Sequence, residues 1–293
     1  MCVPNHHAAT MGNFVQAWFL PAPRTGLIWC TSPVTPIIRS TARMTADMST
    51  ISIQRISAKR SPSFLRLRLN RPERHNAIDT AMLLGLSKAL AADRREAIPL
   101  VIEGEADFFS VGADISEMAA LDAGAASAYS RLGHQVIEAI ESWPGVTIAH
   151  LRGYTLGVGL ELALGCDLLV GRPNVSLGLP GLAWALVPCM GGLRRLACRV
   201  SETFSSELFL RGEMLDAGRA MAHGLINRIE PDDRALERFV GQMAEWTPSA
   251  VLAIRSLRLE HQGVIDSRIG SRMFAQPFAS GECQRRLKAL LAN

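Results

Sequence analysis

Two periodicities organise the chain. Ile51, Ile53 and Ile56 suggest a first strand, and Leu65, Leu67 and Leu69 alternate with Arg66 and Arg68, the pattern of a half-buried strand ended by Asn70-Arg71-Pro72. Met82, Leu86 and Leu90 then fall on one helical face, and Asp79 stands where an N-cap is needed. Residues 99–102 and 146–151 are apolar runs of strand length. Between them, a helix start is expected at Ile115 with Asp114 as its cap, and Asp122 opens a longer helix that ends near Trp143-Pro144. Short strands are expected at 168–170 and 175–177, and Pro180-Gly181 turns the chain. Helices follow at 191–199, 202–210 and 216–223, the last stopped by Gly224. Residues 225–229 read as a strand, and from Asp232 the chain is helical with breaks at Pro248 and Pro277. Strands alternating with helices give an α/β domain with a helical C-terminal part.

One stretch combines these elements with chemistry. Residues 146–151 lead through Arg152-Gly153 to Gly157-Val158-Gly159, and then to a segment that is apolar except for Glu161. A strand, a glycine turn and a helix start aim unpaired backbone N–H groups at one point, where the helix dipole adds positive potential. A lone glutamate among Leu160, Leu162, Ala163 and Leu164 is expected to be partly desolvated, which raises a carboxyl pKa and suits it to proton transfer. Donors for a developing oxyanion beside one acid/base group serve chemistry next to a carbonyl. The loop 110–114 has the same layout, a strand before it and a helix after it, so it can offer a second donor.

Simpler readings compete. Gly157-x-Gly159 could open a dinucleotide fingerprint, but Leu162 stands at the third glycine position and no acid follows at the usual distance. On this stretch alone, a buried glutamate paired with an arginine is at least as good an account of Glu161. His150 lies on a buried strand and reads as a core histidine, and Asp167 reads as structural.

Composition bounds the remaining classes. The chain has 293 residues and a net charge of +4, but residues 1–46 hold Arg24, Arg39 and Arg43 and no acid, which leaves 28 basic against 27 acidic residues. No basic field for nucleic acid is visible, and no apolar run reaches membrane-spanning length. The six cysteines are scattered without a C-x-x-C pair, as free thiols in a reducing compartment would be, so the expected location is cytoplasmic. Residues 1–43, broken by five prolines, read as a disordered leader or an over-extended start, or as a mitochondrial transit peptide if genuine. The core domain is expected over 44–245 and a C-terminal helical region over 246–293. No metal site is expected.

Five segments carry a family resemblance, which runs from about Ile51 to the C-terminus, roughly five-sixths of the chain. They are LNRPERHNAI (69–78), FFSVGADISEM (108–118), HLRGYTLGVGLELALGCD (150–167), LGLPGLAWALVPCMGGLRRL (177–196) and FLRGEMLDAGRAMAHGLINRIEP (209–231). In this order and spacing they resemble the crotonase superfamily, the enoyl-CoA hydratase/isomerase family.

The resemblance implies a spiral of ββα units with a C-terminal helical trimerisation region, and a homotrimer or dimer of trimers. It implies an acyl-CoA substrate, with coenzyme A part of that substrate and no separate cofactor. By motif, the oxyanion donors would be the N–H groups of Ala113 and Val158, and the acid/base group Glu161. CoA would lie along Arg74, His75, Asn76 and Ala77 and along Val111, Gly112 and Asp114, with Gly157, Gly181 and Trp184 completing the substrate site. Two positions depart from the pattern. Val158 replaces the middle glycine of the core signature, which keeps a backbone donor if the residue needs no positive φ. Gly181 stands where the hydratases carry a second glutamate. Hydratases of the family divide water activation and Cα protonation over two carboxylates, whereas one carboxylate suits proton shuttling in double-bond isomerisation or protonation of an enolate formed by decarboxylation. The resemblance as a whole implies a hydratase-like enzyme. The alternatives are an acyl-CoA isomerase or decarboxylase, also on carrier-bound acyl groups, and a catalytically silent acyl-CoA-binding paralogue.

Overall fold

The computed structural model describes residues 50–53, 55–61, 63–93, 97–244, 246, 250–251, 253–255, 271, 274–275, 278–279 and 281–292. The expectations for residues 1–43, and for the chain breaks at Pro248 and Pro277, lie outside the described residues. The first apolar stretch folds back on itself: β1 (Thr50–Ile53) and β2 (Ile56–Arg60) form an antiparallel hairpin rather than one strand. The turn between them includes Arg55 at φ 68°.

β2 pairs antiparallel with β3 (Leu65–Leu69), and from there every pairing is parallel, through β4 (Leu100–Gly104), β5 (Thr147–Leu151), β7 (Leu168–Gly171) and β10 (Arg228–Ile229). Parallel neighbours need crossovers, and the helices Thr80–Ala92 and Ala123–Glu141 supply two of them. Asp79, Asp114 and Asp122 accept hydrogen bonds from backbone N–H groups of the helices they precede, as their positions predict. A second sheet of three strands, β6 (Tyr154–Leu156), β8 (Ser176–Gly178) and β9 (Leu215–Asp216), stands beside the first. β6 and β9 are too short to leave a period in the sequence.

β4 and β5 are buried at every position because both faces of the large sheet are covered. Leu67, Ile102 and Ala149 face the main core with helices Thr80–Ala92 and Ala123–Glu141. Val101, Ile148 and Val170 face a smaller cluster built with Leu236, Val240 and Met243 of helix Asp233–Met243. That second cover corrects the reading of β3. Arg66 is buried, not solvated, and ion-pairs with Glu103 and with Glu237 of the covering helix. Only residues 228–229 of the predicted strand 225–229 join a ladder, because the N–H groups of Leu225 and Ile226 close the preceding helix on Ala220 O.

His150 and Asp167 are structural, as expected. His150 Nδ1 lies 3.1 Å from Glu103, and Asp167 accepts from Thr147 N and Oγ1 while pairing with Arg255 at 2.8 Å. The described cysteines, Cys166, Cys189, Cys198 and Cys283, are not joined in disulfides. No helix among the described residues is long and apolar enough to cross a membrane. The C-terminal helix Glu282–Ala292 packs on the helix Ile115–Ala120, and Gln284 donates to Leu121 O.

Candidate functional site

The central stretch folds as its pattern predicts, with each residue of the glycine turn answering a different need. Gly157 is the helix N-cap at φ 48° and ψ −122°, a conformation that disfavours a side chain. Val158 is the first residue of helix Val158–Leu164 and is absent from the positive-φ positions, so a branched side chain is tolerated there. Gly159 is required by approach: a Cβ on it would stand 2.8 Å from Ser110 Cβ. That approach joins the helix start to the second loop.

The two loops are stitched together by backbone. Ser110 N donates to Tyr154 O and Leu156 N donates to Ser110 O, so residues 110–113 run beside β6 into the glycine turn. A Cβ placed on Gly112 would lie 3.7 Å from Val158 N. Among the described residues, neither Ala113 N nor Val158 N has a hydrogen-bond partner. Segment 75–78 lies on the other side of the loop, where Val111 N donates to His75 O, Ile78 N to Gly112 O, and Asp114 N to Ile78 O.

Glu161 is wholly buried, at 1% exposure, which exceeds the partial desolvation expected of a first-turn residue. Its carboxylate caps the start of another helix. Oε1 accepts from Cys189 N at 3.0 Å, and Oε2 accepts from Met190 N and Gly192 N at 2.8 Å each. Gly192 opens the helix Gly192–Ala197, so the carboxylate meets both free N–H groups and the positive end of a short dipole. The 189–192 turn is itself pinned: Ser130 Oγ donates to Cys189 O, and Arg195, paired with Glu141, donates to Met190 O at 2.6 Å. Burial pushes the Glu161 carboxyl above its ordinary value, and the three N–H groups with Arg195 offset only part of that rise.

Glu161, Ala113 and Val158 all line one cavity of about 600 Å³. Its remaining wall is mostly apolar and comes from segments far apart in the chain, including Met118, Leu186, Val187, Phe209 and Phe274.

A family model described as enoyl-CoA hydratase/isomerase matches residues 59–287. The chain belongs to the enoyl-CoA hydratase/isomerase family. A 2,3-dehydroadipyl-CoA hydratase of Escherichia coli is 35% identical over 70% of this chain and 82% of its own. A "Probable enoyl-CoA hydratase" of Rhizobium meliloti is 32% identical over 77% of this chain and 90% of its own. The solved structure of Pseudomonas aeruginosa DspI superposes with a TM-score of 0.67 at 29% identity, covering 71% of this chain and 81% of that one. Neighbours of this kind establish the crotonase fold.

This cavity gathers Val111, Gly112, Ala113, Gly157, Val158, Glu161, Gly181 and Trp184 of the residues expected from sequence. Arg74, His75, Asn76, Ala77 and Asp114 do not line it. Arg74 is exposed in a 3-10 turn, and His75 is half-buried against the Phe108 ring at 4.7 Å. The Asn76 side chain is used within the fold, donating to Glu105 O and Phe108 O and accepting from Arg71 N. Asp114 caps its helix and pairs with Arg71 at 2.6 Å. Gly181 sits in the 3-10 turn Pro180–Trp184 without positive φ. Met190 packs against Gly133, where a Cβ would lie 2.4 Å from its Cε.

Sequence reasoning missed the donors that hold Glu161, since backbone N–H groups leave no residue-type signal. The trace they do leave is Gly192. A Cβ there would stand 2.4 Å from Glu161 Cγ and 2.8 Å from Oε2. Gly192→Ala is expected to push the carboxylate off its donors and lower kcat by about 100-fold, the cost of an ångström-scale misplacement. Steady-state kinetics with a denaturation curve check this; a folded variant with unchanged kcat would show that the carboxylate does not need its present seat.

Proposed function

We propose that the chain binds an acyl-CoA thioester, holds the thioester oxygen with Ala113 N–H and Val158 N–H, and moves a proton at Cα with Glu161. The observation that carries this reading is the position of Glu161: a buried carboxylate with raised pKa, in one cavity wall with two unpaired N–H groups on adjacent loops. For hydration, water adds its oxygen to Cβ and gives a proton to Glu161. The Cα=Cβ pair moves onto Cα and the thioester oxygen as the enolate, and Glu161 returns the proton to Cα. The two N–H groups stabilise the enolate charge from a largely apolar wall. No separate cofactor is needed by this scheme. A homotrimer or dimer of trimers and a cytoplasmic location belong to the same proposal, resting on the family resemblance and on scattered cysteines without a C-x-x-C pair.

A second reading is favoured by Gly181. With no side chain there, Glu161 is the only ionisable group in the cavity among the described residues. One carboxylate serves Cα proton exchange, double-bond migration or protonation of an enolate formed by loss of CO₂ more readily than it serves hydration. A panel of acyl-CoA thioesters, followed for water addition, double-bond migration, CO₂ release and Cα deuterium exchange, tests both. Exchange is expected throughout and hydration is expected to be slow. Absence of exchange and turnover together with tight binding would sink the catalytic reading and leave an acyl-CoA-binding paralogue.

Gly181→Glu separates the two reactions. The backbone there is not in the left-handed region, so the constraint is contact: a Cβ would stand 3.0 Å from Leu186 O and 3.4 Å from Leu186 Cβ. A few tenths of an ångström of adjustment suffice. In the folded variant, hydration of a short enoyl-CoA is expected to rise above wild type. No gain would mean that position 181 does not face the reacting carbon, and the wild-type site then serves migration or decarboxylation.

A further inference from the structure

The cavity that holds Glu161 also selects what can lie beyond it, and this inference rests on the acyl-CoA reading above. Among the described lining residues, Glu161 is the one ionisable group, and it already carries the reaction. The polar side chains that remain are Ser206, on the exposed side of helix Glu202–Arg211, and Trp184. The lining also includes Leu182, Leu193 and Leu210, which are 44%, 56% and 72% exposed. Three leucines uncovered at one rim are apolar surface that a passing apolar chain would remove from water.

We infer that the site takes an unfunctionalised, apolar acyl chain that runs out past Leu193 and Leu210, and that it rejects acyl chains ending in a carboxylate. The physical reason is that the described lining holds no cation to pair with a second anion, and its two unpaired backbone donors, Ala113 N–H and Val158 N–H, are taken by the thioester oxygen. An acyl carboxylate entering this cavity would lose its water without a partner and would meet the field of Glu161. In this the chain departs from its Escherichia coli relative, which is named for a substrate with a terminal carboxylate.

The test is calorimetric binding of butyryl-, hexanoyl-, octanoyl- and adipyl-CoA to the full chain, with free CoA as reference. Affinity is expected to rise about fourfold for each methylene added to the saturated chains, the value of a buried CH₂. Hexanoyl-CoA is expected to bind at least about tenfold more tightly than adipyl-CoA, which has the same carbon count. A second arm uses Leu210→Arg, which places a cation on the exposed rim where folding is least disturbed. It is expected to improve adipyl-CoA relative to hexanoyl-CoA by up to about fivefold, the range of an exposed ion pair. Equal affinity of the wild type for hexanoyl- and adipyl-CoA would overturn the inference while leaving the acyl-CoA reading intact. An unchanged ratio in the folded Leu210→Arg protein would overturn the path past Leu210. If no thioester binds better than free CoA, the acyl-CoA reading fails first and this inference with it.

Discussion

Replacing Glu161 with glutamine is expected to lower turnover by about two to four orders of magnitude, the usual contribution of a general acid–base group, and to leave CoA-thioester binding nearly unchanged. The shape of the side chain is kept and its proton is lost. The change is not silent for the fold, however, because three backbone N–H groups point at the two carboxylate oxygens. A glutamine offers one oxygen. With that oxygen at the Oε2 position it still accepts from Met190 N and Gly192 N, and its NH₂ then faces Cys189 N, a donor against a donor. That mismatch costs about 1–3 kcal/mol of stability, so a denaturation curve belongs beside the kinetics. The pH profile provides a second readout. Burial holds the Glu161 carboxyl above its ordinary value, so the wild-type profile should show an ionisation above the usual carboxylate range that vanishes in the glutamine variant. Turnover that survives the substitution would remove Glu161 from the chemistry.

The second large effect is on stability and lies on the opposite face of the sheet. Glu103 is wholly buried on β4 and meets Arg68 at 2.5 Å, His150 at 3.1 Å, Arg152 at 3.5 Å and Arg66 at 3.6 Å. Burial alone would push its carboxyl up, but the His150 hydrogen bond and the charges of Arg66 and Arg68 outweigh it and hold the group at about 2. Glu103→Gln would leave the buried Arg66 and the half-buried Arg68 and Arg152 around a neutral amide, and is expected to cost about 3 kcal/mol. Linkage gives the same result a pH signature. The folded-state pKa lies below the unfolded value of 4.5, so the contribution is complete above that pH and is lost as pH falls towards 2. The integrated loss is about 3 kcal/mol, from 1.36 kcal/mol per pKa unit. Denaturant midpoints measured between pH 2 and pH 6 check this. The wild type should show the acid limb and the glutamine variant should show a flatter one. Identical acid limbs in the two proteins would mean that Glu103 is not what its partners stabilise.

By itself the sequence determined the α/β alternation, the helix starts at Asp79, Asp114 and Asp122, and the strand–turn–helix around Gly157. These are local matters, set by periodicity, by a side chain that can accept a backbone N–H three residues on, and by a turn that only glycine enters easily. It also carried Glu161 and the two donor loops, because an acid in an apolar run and glycines before a helix are visible without a fold. Tertiary structure alone decided the rest. Arg66 alternates like a solvated residue, and only the arrival of helix Asp233–Met243 on that face buries it and makes Glu103 its partner. The two loops converge because Ser110 pairs with β6, a strand too short to show a period. The seat of Glu161 is built from the N–H groups of Cys189, Met190 and Gly192, about 30 residues further along. Every residue but proline carries such a group, so no residue type announces it, and chain folding must bring a helix start to the carboxylate before either has a function.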